Sequence, residues 1–273
     1  MQAALKTTAH AWLQAGRPAM LVQVLATRGS VPRAAGTRML VAADAVAGTI
    51  GGGHLELQAI CRARALLADR VLAAQDQAIA LGPTLGQCCG GALTLRTAPL
   101  DAAALQAWPD EPPLFTLQLY GAGHVGRAIV QLLERLPCSV QWIDEREREF
   151  PADPSAAHIQ RLCLEPVQAE VRLAPPGAFY LVLTHSHDLD LAITEAILRR
   201  GDFAYLGLIG SATKRARFLQ RFSQRGVDAA TLARLTCPIG LPGIPGKAPA
   251  QIAVAVVAQL LQVAALAGPV SPG

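Results

Sequence analysis

Leu114-Phe-Thr-Leu-Gln-Leu-Tyr-Gly-Ala-Gly-His-Val-Gly126 decides the fold of the larger part of the chain. Leu114–Tyr120 reads as a buried strand, and Gly121-x-Gly123-x-x-Gly126 turns sharply into a helix running to Leu136. That order is the fingerprint of a dinucleotide-binding βαβ unit: one glycine for the tight turn, one for close approach to a pyrophosphate, one for helix–strand packing. The next strand, Val140–Asp144, ends in an acidic residue about 20 positions on, where a ribose-binding carboxylate belongs. Asp144 favours NAD over NADP through a free 2′-hydroxyl, and Arg146 and Arg148 weaken that preference. A glycine motif is also needed by the bare fold, so a vestigial site fits the same residues.

Further strands follow at 178–184 and 203–209, with helices near 190–200 and 211–224. The alternation predicts a Rossmann-like doubly wound parallel sheet over 114–273. Before it, short strands at 21–25, 39–42 and 92–96 mix with helices at 2–15 and 55–74, an α+β domain over 1–99. Between them, 100–113 ends in Trp108-Pro-Asp-Glu-Pro-Pro113 and reads as a linker.

Three loops of the first domain carry chemistry. Arg28-Gly-Ser-Val-Pro-Arg-Ala-Ala-Gly-Thr-Arg38 spaces Arg28, Arg33 and Arg38 evenly on a stiff loop, as forked donors for an anion. Gly48-Thr-Ile-Gly-Gly-Gly-His-Leu-Glu56 puts Gly51, Gly52 and Gly53 ahead of a helix, with His54 and Glu56 in its first turn. Positive φ there lets successive N–H groups face one ligand, and the helix N-terminus adds partial positive charge. Leu81-Gly-Pro-Thr-Leu-Gly-Gln-Cys-Cys-Gly-Gly91 sets Cys88 beside Cys89. Adjacent cysteines make a strained disulfide and lack zinc-ribbon spacing, which leaves soft thiols in a glycine loop or two small buried hydrophobes.

Other features exclude functions. Of the 273 residues 52% are hydrophobic and 4% aromatic, with a net charge of +4. Few aromatics and no Lys/Arg block argue against nucleic acid. The first twenty residues lack an apolar h-region, and six irregularly spaced cysteines read as reduced thiols, so a cytoplasmic protein is expected. Ala248–Ala267 is apolar, but Pro249 and its glutamines favour a buried helix over a membrane span. His185-Ser-His187-Asp188 approaches a dinuclear zinc signature and misses it at Leu189 and Asp190. Hydrogen bonds to an anionic or ribosyl ligand, or capping by Asp188, suit His185, His187 and Asp188 better. Lys214, Arg217, Arg221 and Arg225 recur at helical spacing as a solvated face or a docking surface for an acidic partner. Cys138, Cys163 and Cys237 have no ligand spacing and read as structural.

The three first-domain motifs, in this order, resemble the XdhC/CoxI family of accessory proteins for xanthine dehydrogenase and carbon monoxide dehydrogenase. The likeness continues through Tyr120–Gly126, Thr184–Asp188, Ile209–Arg215 and Pro238–Lys247, nearly the whole chain. It implies a carrier and not an enzyme. Such proteins bind the molybdenum cofactor in its molybdopterin form, assist its sulfuration with a cysteine desulfurase, and deliver it to an apo-xanthine dehydrogenase. It also implies a homodimer, and Cys61 as the first cofactor-contacting thiol, with Cys88 and Cys89 after it. The reading from another class is an NAD-dependent oxidoreductase using the Rossmann half, for which no catalytic set stands out. A zinc hydrolase at His185 and His187 lacks its third histidine.

Overall fold

A computed structural model describes residues 2–71, 73–81, 90–110 and 112–267. It divides into two compact units, Met1–Glu111 and Pro112–Gly273.

The first unit runs α1 (Gln2–Gln14), β1 (Ala19–Arg28), β2 (Arg38–Ala42), β3 (Val46–Gly48), α2 (Gly53–Ala68), β4 (Gln75–Ala80), β5 (Ala92–Pro99) and α3 (Ala102–Gln106). Its antiparallel sheet has the order β3-β2-β1-β5-β4. Side chains alternate across each strand, so the sheet buries two different faces. Met20, Val22, Val24, Met39 and Val41 pack with Leu55, Ala59 and Ala63 of α2. Leu21, Leu40 and Ala42 pack with Leu5 and Ala9 of α1, and with Leu105 and Trp108.

The stretch expected as a linker is therefore part of this unit. Leu100, Leu105 and Trp108 are buried, Asp101 caps α3 by accepting from Ala104 N (2.7 Å), and Lys6 Nζ donates to Trp108 O (2.8 Å). Prolines end the helix, yet the tryptophan before them is core. The strands β3 and β4 escape sequence reading because they are short or mostly exposed, as in Gln-Asp-Gln-Ala-Ile-Ala.

The second unit runs β6 (Thr116–Tyr120), α4 (His124–Leu133), β7 (Ser139–Asp144), β8 (Ile159–Cys163), β9 (Phe179–Val182), α5 (His187–Arg200), β10 (Tyr205–Leu208), α6 (Ala212–Gln224), α7 (Ala229–Ala233), β11 (Leu235–Thr236) and α8 (Pro249–Ala267). All six strands are parallel, in the order β11-β10-β9-β6-β7-β8. This is the expected doubly wound sheet, and the strand order reverses between β6 and β9, where ligands of such sheets bind. The helix α8 is long and apolar enough to cross a membrane by length and composition. Ala253, Val256, Leu260 and Ala264 are nevertheless buried in the core with α4 and the sheet, as expected of an internal helix.

Candidate functional site

The antiparallel pairing brings the three motif loops of the first unit to one end of its sheet. The β1–β2 connection carries Arg28 to Arg38, β3 ends at Gly48, and β4 and β5 are joined through residues 81–91. The loops are tightly apposed. A Cβ on Gly91 would lie 2.3 Å from Ser30 O and 2.6 Å from Arg28 O, so only glycine passes there. A Cβ on Gly51 would lie 2.6 Å from Pro32 Cγ and 3.7 Å from Arg33 Cγ. Cys88 and Cys89 lie outside the described residues.

The triple glycine adopts positive φ throughout: Gly51 at 130°, Gly52 at 74° and Gly53 at 65°. The sequence predicts that its N–H groups face a ligand; two groups of this loop instead face Glu56. Its Oε2 accepts from Thr49 Oγ1 (2.5 Å), Ile50 N (3.2 Å) and Gly52 N (3.1 Å), while Gly51 N donates to Thr49 Oγ1 (3.1 Å). A carboxylate four residues past Gly52, in the first turn of α2, satisfies the concavity from within. Glu56 is an internal strut of the loop.

The arginines separate. Arg28 and Arg33 are exposed on the loop cluster, with the stem of Arg33 beside Gly51. Arg38 is buried on the sheet face opposite α2, its guanidinium 5.0 Å from the Trp108 ring and donating to Gly36 O (2.9 Å). Strand alternation turns it away, since Met39 beside it faces α2. His54 is exposed and pairs with Gln58 (3.0 Å). Cys61 is exposed, eight residues along α2 from Gly53, or roughly 12 Å at 1.5 Å per residue.

In the second unit two of the three fingerprint glycines are required by the fold and the third is not. Gly121 has φ 122°, and its Cβ would meet Leu183 O at 2.3 Å; that of Gly126 would meet Gly121 O at 2.1 Å. Gly123 begins α4 at an ordinary φ of −69°, with nothing within 4 Å of its missing Cβ. Backbone packing explains the first two, and the third is open to a ligand.

Asp144 is expected to hold a ribose hydroxyl, but its acceptor sites are filled. Oδ2 accepts from Ala122 N (2.6 Å) and Arg146 Nη2 (3.0 Å), and Oδ1 from Arg146 N and Nε (both 2.9 Å). Four donors saturate a carboxylate. Burial pushes its pKa up, but Arg146 and the two backbone N–H groups outweigh that and hold it below the ordinary value. His185 Nε2 lies 3.5 Å from Glu145 Oε1 at the switch-point crevice, beside Gly121, Asp144 and Thr184. His187 is exposed at the start of α5, whose N-cap is Ser186 and not Asp188.

A buried pair at the carboxyl ends of β9 and β10 escapes sequence reading. Lys214 Nζ donates to Asp190 Oδ2 (2.5 Å) and Ile209 O (2.9 Å), and Asp190 Oδ1 accepts from Thr184 N and Oγ1. Lys214 thus leaves the expected solvated stripe; Arg217, Arg221 and Arg225 remain exposed. A signal exists in Gly210, whose Cβ would strike Lys214 Cδ at 2.6 Å. Burial pushes the Cys138 thiol up to about 11 and raises Cys237 despite nearby Lys214, which makes both poor nucleophiles. Cys163 is exposed, its thiol 3.7 Å from Glu145 O. Among the described residues no three of His, Cys, Asp and Glu gather as a metal's ligand set.

Comparison with known proteins agrees with this architecture. Residues 12–74 match the XdhC and CoxI family, and residues 117–260 match the XdhC Rossmann domain. The chain is 31% identical over 257 residues to the uncharacterized protein YqeB of Escherichia coli strain K12, covering 90% of this chain and 43% of that protein. It therefore spans less than half the length of this curated relative. A crystal structure from Bacillus halodurans, described as a xanthine dehydrogenase, shares the fold with a TM-score of 0.78. Its identity is 19%, over 98% of this chain and 97% of that one. The two family matches, together covering most of both units, establish that the chain belongs to the XdhC and CoxI family.

Proposed function

We propose that this protein is an accessory factor in the maturation of a xanthine dehydrogenase-type molybdoenzyme, and not itself an enzyme. In this reading it carries the molybdenum cofactor in its molybdopterin form and hands it to the apoenzyme, as a cytoplasmic homodimer working with a cysteine desulfurase. The observation that supports it is the convergence of the three motif loops on one sheet end, fixed by the close approach of Gly91 to Arg28 and Ser30 and of Gly51 to Pro32.

The residues fit an anionic cofactor in part. Arg28 and Arg33 stand exposed on the cluster, and Arg33 lies beside the N-terminus of α2, so a phosphate there meets a forked donor and a helix dipole. The N–H groups of Ile50 and Gly52 do not fit the phosphate, because Glu56 already holds them. Glu56 keeps the loop rigid and Gly51 lets Pro32 and Arg33 approach. Exposed Cys61 is reachable by a protein-borne sulfur donor. Bound, the cofactor supplies the molybdenum centre of the enzyme that receives it.

Protein purified from a host that makes the cofactor should release a fluorescent oxidised pterin and activate an apo-molybdoenzyme above free cofactor. Arg33→Ala should lower loading by about 1.5–3 kcal/mol, roughly ten- to hundredfold, because a charge-assisted contact is lost. Cys61→Ala should leave loading within twofold and reduce sulfuration. Absence of pterin from the parent sinks the carrier reading; loss of loading in Cys61→Ala puts that thiol back at the cofactor.

The oxidoreductase reading has one observation in its favour, the open backbone at Gly123. Saturated Asp144 weighs against an ordinary NAD pose.

A further inference from the structure

The outer strand of a sheet presents a row of N–H and C=O groups that another strand can take, and proteins blunt such edges. Among the described residues the two sheets end in β3, β4, β8 and β11. Three of these are blunted. β3 is three residues long and β11 two. β8 carries Arg161 at its centre, a guanidinium held by Pro151 O, Asp153 O and Ser155 Oγ. β4 has no such device. Its six residues, Gln75-Asp-Gln-Ala-Ile-Ala80, pair with β5 from Gln75↔Thr97 to Ala80↔Ala92 without a bulge, and contain no proline or lysine. Its single charge, Asp76, is taken by Arg96 of β5 in a fork (2.7 Å for each bond). Alternation puts Gln77 and Ile79 on the α2 face, opposite Leu95 and Leu93, and Asp76 and Ala78 on the other. Asp76, Gln77 and Ala78 are nevertheless all exposed, one after the other. Both faces of β4 are therefore open at its middle.

We propose that β4 pairs antiparallel with β4 of a second copy of this chain, joining two five-stranded sheets into one. This gives the homodimer of the reading above its interface, and rests on that part of it alone. A two-fold axis normal to the sheet keeps each side chain on its own face, so the axis passes through a residue, and Gln77 and Ala78 are the central ones. With the axis at Gln77, Asp76 lies opposite the partner subunit's Ala78; with it at Ala78, opposite the partner subunit's Ala80. No like charges meet in either register, and the outward N–H and C=O groups of both strands are satisfied. An edge whose one charge is already paired selects no foreign strand by charge; a copy satisfies it by symmetry. Six residues a side make a small interface, so the dimer should come apart on dilution.

The full chain is followed by sedimentation velocity from nanomolar to near-millimolar concentration, and a monomer–dimer equilibrium is expected. Gln77→Lys with Ala78→Lys sets a lysine on each face beside the axis, at exposed positions, and should weaken the dimer about tenfold or more. Gln220→Lys with Gln224→Lys makes the same charge change on the exposed side of α6 and should weaken it less than about twofold. Thermal unfolding of each variant checks that the fold is kept. In the parent, hydrogen exchange at the amides of 75–80 should quicken on dilution, and that of 38–42 in β2 should not change. A dimer equally strong in parent and Gln77→Lys/Ala78→Lys overturns the edge and leaves a homodimer through another face. Equal weakening by both lysine pairs, or exchange at 75–80 that ignores dilution of a dimeric parent, overturns it as well. A parent monomeric throughout overturns the second copy as occupant, together with the homodimer, and leaves the edge to a foreign strand. The carrier reading then stands or falls on pterin release alone.

Discussion

Two glycine loops, Gly48–Gly53 and Gly121–Gly126, look alike in sequence: each follows a strand, opens a helix and is served by an acidic residue. In the structure both carboxylates turn onto backbone N–H groups, Glu56 onto Ile50 and Gly52, and Asp144 onto Ala122. The glycines differ in what they are for. The first loop needs them for conformation, with positive φ at three successive residues. The second needs Gly121 and Gly126 because backbone carbonyls sit where a Cβ would go, and needs Gly123 for nothing in the fold. A glycine unexplained by its own chain is a better pointer to a ligand than one that conformation explains.

The largest effects should separate the two kinds of structural glycine. Gly121→Ala combines φ 122° with a clash against Leu183 O, and Gly126→Ala clashes with Gly121 O. Backbone cannot yield cheaply, so each should lose about 3 kcal/mol or more in urea unfolding. Gly51→Ala meets the ring of Pro32, which can shift on its loop, and should lose about 2 kcal/mol. Equal losses at all three would erase the distinction between conformation and close packing.

Smaller effects should separate the two carboxylates. Asp144 is buried, and its lowered pKa contributes stability that is fully present above the ordinary carboxylate value, about 4. That contribution is lost as pH falls through the lower, folded value. Asp144→Asn should therefore cost about 2 kcal/mol at pH 7 and flatten the acid side of the stability curve. Glu56→Gln keeps an acceptor for the same three donors and should cost about 1 kcal/mol at pH 7. An unchanged acid limb in Asp144→Asn would show that this pair does not survive in solution.

The second unit was more legible than the first, for physical reasons. A parallel sheet is buried on both faces, so its strands are continuous apolar runs, and a glycine turn and Asp144 mark the first crossover. Only the edge strands β8 and β11 escape, because half of Ile-Gln-Arg-Leu-Cys faces solvent and β11 is two residues long. In the first unit the motifs name the right loops but not where each side chain points. Strand alternation sends Arg38 to the far face, and a first-turn carboxylate takes the N–H groups of the triple glycine. Lys214 departs from its expected stripe for a related reason: helical period cannot tell an exposed lysine from one that folds back toward Asp190, 24 residues earlier in the chain.

The smallest effect on stability carries the most information about ligands. Gly123 has φ −69° and open space at its missing Cβ, so Gly123→Ala should cost no more than about 0.5 kcal/mol, the difference between glycine and alanine as an N-cap. Gly123→Val keeps an allowed φ and should cost about 1 kcal/mol at most. If the backbone is open because a pyrophosphate approaches it, calorimetry with NAD, NADP or ATP should show heat in the parent and none in Gly123→Val. Arg146→Met would then free the Asp144 carboxylate and shift any preference toward a free ribose, because an unsaturated acceptor can take a 2′-hydroxyl. No heat in the parent with any of the three makes the second unit a scaffold, its fingerprint retained only through Gly121 and Gly126, the two glycines that backbone packing demands.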